Sequence, residues 1–121
     1  MKARTKDFAL RVIKLVRSMP RTIEGGAIAN QIVRSGMSVA ANYRASCRSR
    51  SRAEFVAKIG TVLEEADESL LWLELIGDAK ILPRKRIESL RIEADELVAI
   101  MVATRKSAAP KSEIRNPKSE I

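Results

Sequence analysis

The residues best placed for chemistry in this chain are acidic: Glu64, Glu65, Asp67 and Glu68 fall within five consecutive positions. Paired carboxylates serve glycoside hydrolysis or hold a hard cation. Either use needs a second acidic group facing the first; no second acidic cluster faces them in sequence, and the first helix is basic. The other reading is a solvated face, or ion pairs to a neighbouring basic helix. The chain has no histidine, so it lacks the usual general base and the commonest transition-metal ligand. Cys47 is its only cysteine. Neither an intrachain disulfide nor a cysteine-based zinc site can form. A single thiol fits a reducing cytoplasm. Ser38 as a nucleophile would need a base, and Lys58 is the only weak candidate. No catalytic constellation emerges, and no metal or cofactor is expected.

The densest positive charge is a different feature. Arg44, Arg48, Arg50 and Arg52 lie within nine positions, where one helical pattern stops and another starts. Net charge over the 121 residues is +8, unevenly spread. Residues 1–21 carry +6, 22–52 carry +4, 53–82 carry −5, 83–104 balance, and 105–121 carry +3. The expectation is a basic surface with one acidic helix. Nucleic acid is the leading polyanion partner, and an anionic membrane surface the second. The start of the chain has charges but no apolar signal segment, and no run approaches the length of a membrane span.

Four helical patterns must position these charges. Hydrophobic residues are 45% of the chain and aromatics 3%, so aliphatic side chains fill the core and helices are favoured over a sheet. The first pattern runs from about Thr5 to Ser18, with Phe8, Val12, Leu15, Val16 and Met19 on one face, and Pro20 ends it. The second runs from about Ile23 to Ala45, with Ile28, Ile32, Gly36, Val39 and Tyr43 as its stripe. Gly36 there costs about 1 kcal/mol against alanine, which implies close approach of a neighbouring helix. The third runs from about Arg52 to Gly77. Ser51 and Glu54 form a capping box. Phe55, Ile59, Val62, Ala66, Ser69, Leu73 and Ile76 follow at spacings of four and three, and Gly77-Asp78 closes the helix. The fourth follows Pro83, from about Arg84 to Thr104, with Ile87, Leu90, Ala94, Leu97 and Met101. Short connections make neighbours antiparallel. The expected fold is all-α, an up-down four-helix bundle over residues 1–105. Residues 106–121 contain the repeat Pro-Lys-Ser-Glu-Ile twice and read as a disordered basic tail.

Two features exceed what a bundle needs. Leu71, Trp72 and Leu75 point away from the Ile59–Leu73 face, and exposed clusters of this kind belong at subunit interfaces or under a covering loop. Gln31, Ser38 and Asn42 lie near one line of the second helix. Poor helix formers there call for a buried interhelical hydrogen bond or a ligand.

Ile28-Ala-Asn-Gln-Ile-Val-Arg-Ser-Gly-Met-Ser-Val-Ala-Ala-Asn42, with Ser51-Arg-Ala-Glu-Phe55 and Leu63-Glu-Glu-Ala-Asp-Glu-Ser-Leu70, resembles a family of small bacterial four-helix bundles. Members are encoded in intervening sequences of 23S rRNA genes. The chain is also similar to the accessory variability determinant of diversity-generating retroelements. The resemblance spans roughly Phe8 to Thr104. It implies an oligomeric ring, a homopentamer, and for the retroelement relatives nucleic-acid binding with a reverse transcriptase as partner. Where relatives carry proline between the Ser and the Asn, this chain reads Val39-Ala-Ala41. Where they carry Glu-Gly after the Asn, it reads Arg44-Ala45.

The sequence therefore reads as a non-enzymatic, basic, oligomeric bundle that binds RNA or a ribonucleoprotein. Arg44, Arg48, Arg50 and Arg52 contact phosphates in this reading, and Lys58, Arg11, Lys14 and Arg17 extend the patch. Leu71, Trp72 and Leu75 form the subunit interface. The rival is an adaptor for another protein, its arginines offsetting the acidic helix of an adjacent subunit.

Overall fold

The computed structural model describes residues 1–109. They form four helices: α1 (Lys2–Val16), α2 (Ile23–Ser46), α3 (Arg52–Asp78) and α4 (Arg84–Ala108). The expected disordered tail falls almost wholly on residues 110–121, outside the described ones. α4 itself continues past Thr104 and through the expected boundary at residue 105. Among the described residues no helix is long and apolar enough to cross a membrane.

The expected stripes make the core. Phe8, Val12 and Leu15 of α1 meet Ile32 and Val39 of α2, Ile59, Val62, Leu73 and Ile76 of α3, and Ile87, Leu90, Leu97 and Met101 of α4. Ile28, Tyr43 and Phe55 flank this cluster half-buried. α2, α3 and α4 pack in chain order, and α1 lies mainly against α2. Between α1 and α4 the contacts run in opposite chain order. Arg4 reaches Glu93, Arg11 reaches Ser89, and Ser18 meets Arg86.

Two glycines mark where helices approach. A Cβ at Gly36 would stand 3.0 Å from both γ-carbons of Val12, so the missing side chain is what lets α1 sit against α2. Gly77 does not end α3, contrary to the capping expected of it. It is buried within the helix, and a Cβ there would stand 2.8 Å from Cδ1 of Ile87. The helix instead ends on Lys80, at φ 58°. The Ile81 amide donates to the Ile76 carbonyl and the Lys80 amide to the Gly77 carbonyl, a Schellman end with lysine in the left-handed position. Packing against Ile87 claims the glycine, and the turn is left to a residue that adopts that conformation at some cost.

Candidate nucleic-acid interface

The turn between α2 and α3 is built from local hydrogen bonds that Ser46 and Ser51 supply. Ser51 caps α3 by accepting from the Glu54 amide at 3.1 Å. The return bond of a capping box is displaced by one residue, because Glu54 Oε2 accepts from the Arg50 amide at 3.4 Å. At the other end of the turn, the Ser46 hydroxyl donates to the Tyr43 carbonyl at 2.6 Å. These bonds hold the backbone and leave the arginine side chains outward. Arg44, Arg48, Arg50 and Arg52 are all exposed, and Lys58, in the second turn of α3, is half-buried.

The electrostatics of this turn differ from those of the surfaces where arginines are paired. Among the described residues, Arg4, Arg34, Arg84 and Arg91 each hold a carboxylate, and none of the four turn arginines does. Arg52 is also the first residue of α3, at the positive end of the helix dipole, where a cation is disfavoured by about 0.3–1 kcal/mol. Arg44, in the last turn of α2, is the only one of the four that a helix dipole favours. Folding stability therefore does not account for the cluster. An array of exposed cations on a fixed turn can bind a phosphate backbone. The half-buried Tyr43 offers no free ring for stacking; burial first, and then the Cys47 thiol, push its phenol up.

The structure divides the remaining basic residues. Lys2 and Lys6 of α1, not singled out from the sequence, share a groove with Met37 and Arg44. The Arg105 guanidinium lies over Gly60, 3.8 Å from where a Cβ would be. Arg11 and Lys14 lie elsewhere, in a groove with Arg86 and Ser89, and Arg17 is exposed at the C-cap of α1. Nothing in the spacing of Lys2 and Lys6 along the chain marks them; only the packing of α1 on α2 brings them to Arg44.

The acidic face of α3 is resolved into two kinds of residue. Arg34 of α2 bridges Glu65 at 3.4 Å and Glu68 in a closer pair, whereas Glu64 and Asp67 are exposed. The Arg34 hydrogen bond, with a lesser one from Trp72, holds the Glu68 carboxyl below the usual carboxylate range. Trp72 Nε1 donates to Glu68 at 3.3 Å, which leaves the ring half-buried against the core. Leu71 and Leu75 are 46% and 38% exposed, so the apolar patch read from the sequence is in the main a leucine patch. The polar line of α2 is corrected more sharply. Gln31 is exposed, and Asn42 only donates back to the Ser38 carbonyl at 2.9 Å. The buried interhelical hydrogen bond exists, but it joins Ser35 to Ser69.

Among solved structures, the fold is similar to a protein of unknown function from the S23 ribosomal protein family of Bacteroides thetaiotaomicron. The TM-score is 0.78 at 29% identity, covering 87% of this chain and 97% of that one. No curated protein matches the chain. Residues 1–103 match the model of the family described as 23S rRNA-intervening sequence protein, a span that takes in the α2 segment, the arginine turn and most of α4. The chain thus belongs to the 23S rRNA-intervening sequence protein family.

Proposed function

We propose that this protein is a non-enzymatic helical bundle that binds nucleic acid, RNA or a ribonucleoprotein, through the α2–α3 turn. The observation that carries the reading is the set Arg44, Arg48, Arg50 and Arg52, exposed and without a carboxylate among the described residues. Lys58 borders it, and the contacts are to phosphates, independent of sequence. The test is a salt titration with single-stranded RNA. Binding is expected at low ionic strength and should weaken steeply with salt; no binding at low ionic strength rejects the reading.

The bundle is an antiparallel up-down arrangement in this proposal, supported by the opposite order of contacts between α1 and α4. It assembles with copies of itself into a ring, as the resemblance to pentameric relatives suggests. Two dissimilar surfaces support the assembly. One is the α3 face, where Leu71 and Leu75 stand among the exposed acids Asp67 and Glu74. The other is the groove between α1 and α2, where Met37 is 51% exposed between Lys2, Lys6 and Arg44. An acidic apolar face and a basic apolar groove are complementary, and joining unlike surfaces of one chain gives a head-to-tail contact that can close into a ring. A ring repeats the arginine turn around its rim.

A second reading has the exposed Glu64 and Asp67 behind it. In that reading the arginines meet these acids on a neighbouring subunit, and the assembly serves a protein partner such as a reverse transcriptase. Affinity capture after nuclease treatment separates the two: a protein partner that survives nuclease favours the adaptor.

A further inference from the structure

The groove between α1 and the start of α4 holds three cations whose charge is not spent on carboxylates. Arg11 Nη2 donates to the Ser89 hydroxyl at 2.8 Å, and Arg86 Nη2 donates to the Ser18 hydroxyl at 2.9 Å. Lys14 completes the rim, over a floor that includes Leu15 and Leu90, around a cavity of about 270 Å³. Serine hydroxyls fix the two guanidinium groups without neutralising them. A guanidinium has five N–H donors, so most of each remains available. Glu93 is a carboxylate near enough to feel Arg11, but both of its oxygens accept from Arg4, at 2.7 Å each. The four arginines that do hold carboxylates show the alternative, and this groove departs from it.

From this geometry we infer that the α1–α4 groove is a second, separate phosphate-binding site, which takes the backbone of a polynucleotide. The inference rests on the nucleic-acid reading of the α2–α3 turn and adds a distinct place of contact. Arg86 and Arg105 are nineteen positions apart on α4, about 28 Å along a helix. Arg105 lies over Gly60, in the N-terminal half of α3, whereas Gly77 in its C-terminal half meets Ile87, next to Arg86, so the groove and the turn are at different levels of the bundle. Each subunit then holds two backbone segments, and the protein bridges strands or folds one strand back on itself. Arg11 and Arg86 supply directed N–H groups, Lys14 supplies a mobile charge, and Ser18 and Ser89 position the guanidinium groups.

The test is equilibrium dialysis of the full chain against a labelled RNA tetranucleotide at low salt. Its stacked backbone is roughly 14 Å, too short to span both places. The wild-type plateau is expected at two per subunit. Lys14→Gln/Arg86→Gln should lower it to one, as should Arg48→Gln/Arg50→Gln/Arg52→Gln, and all five together should abolish binding. Lys14→Gln alone, at an exposed position with no role in the core, should weaken the second binding event several-fold with unchanged circular dichroism. A wild-type plateau of one that only the turn variant removes overturns the groove and leaves the turn reading intact. Capture of phosphatidylserine vesicles through the groove, with no tetranucleotide bound there, also overturns it. No binding by any form removes the nucleic-acid reading itself, and the groove with it.

Discussion

The hydroxyls of Ser35 and Ser69 lie 2.7 Å apart in the seam between α2 and α3, both fully buried. Each also faces a carbonyl of its own helix, Ser35 that of Ile32 at 3.3 Å and Ser69 that of Glu65 at 2.9 Å. Two hydroxyl protons cannot serve three contacts. The shorter pair of distances fits Ser35 donating to Ser69, which donates to the Glu65 carbonyl. This relay is the buried polar connection between the two helices that carry the arginine turn, beside the exposed pairs of Arg34 with Glu65 and Glu68.

Truncating one partner leaves the other incompletely satisfied, at about 1–3 kcal/mol. Ser69→Ala should cost more than Ser35→Ala, because Ser35 would fall back on its longer bond to Ile32. Ser35→Ala/Ser69→Ala should cost less than the sum of the two by on the order of 0.5–1 kcal/mol. Urea unfolding of the four proteins measures this cycle, and strict additivity would show that the hydroxyls are not coupled.

Gly36→Ala should destabilise, although alanine is the better helix former by about 1 kcal/mol. The new methyl would press on Val12, a β-branched side chain with one preferred rotamer in a helix, and overpacking of this kind costs about 1–3 kcal/mol. Gly26→Ala meets nothing within 4 Å and should stabilise by up to about 1 kcal/mol. Opposite shifts in thermal midpoint are the expected outcome, and Val12→Ala should partly rescue Gly36→Ala.

Changing Arg44, Arg48, Arg50 and Arg52 to glutamine should lower RNA affinity without loss of helicity. The dependence of log K on log salt should flatten by about 0.7 for each single-strand phosphate contact removed. Unchanged affinity and slope place the contact elsewhere. Thermal stability should hold or rise slightly, because Arg52→Gln removes a cation from the start of α3.

Leu71→Gln/Leu75→Gln should shift the protein to a smaller species in light scattering while leaving circular dichroism unchanged. Leu73→Ala, between them but fully buried, should instead cost about 2–5 kcal/mol of fold stability. A wild-type protein that is a stable monomer would end the ring proposal.

The Arg4 hydrogen bonds hold the Glu93 carboxyl below the usual carboxylate range, against the opposing effect of its burial. A carboxyl depressed in the folded state contributes stability above its unfolded value, about 4.3, and loses it as pH falls through the lower folded value. Acid unfolding of Arg4→Gln should therefore differ from wild type at neutral pH and converge with it in strong acid. A difference that persists unchanged into strong acid would assign the effect to packing.

The sequence alone determined the four helices and most of the core, because apolar positions at spacings of three and four leave one way to bury each stripe. It also marked the close approach at Gly36, since a glycine in an apolar helical stripe needs a steric reason. The arginine turn was legible as well, its position being local to the capped start of α3. Tertiary structure alone decided the pairings. Ser35 meets Ser69 rather than Asn42 finding a partner, because the turn of α2 sets which hydroxyl faces α3. Gly77 serves Ile87 rather than the helix end. Lys2 and Lys6 come to Arg44, while Arg11 and Lys14 go to Arg86, although all four are basic residues of the same helix. Spacing along a chain fixes which residues share a face, but which neighbour that face meets depends on how the helices pack. That packing is what splits one basic stretch of sequence between two places on the surface.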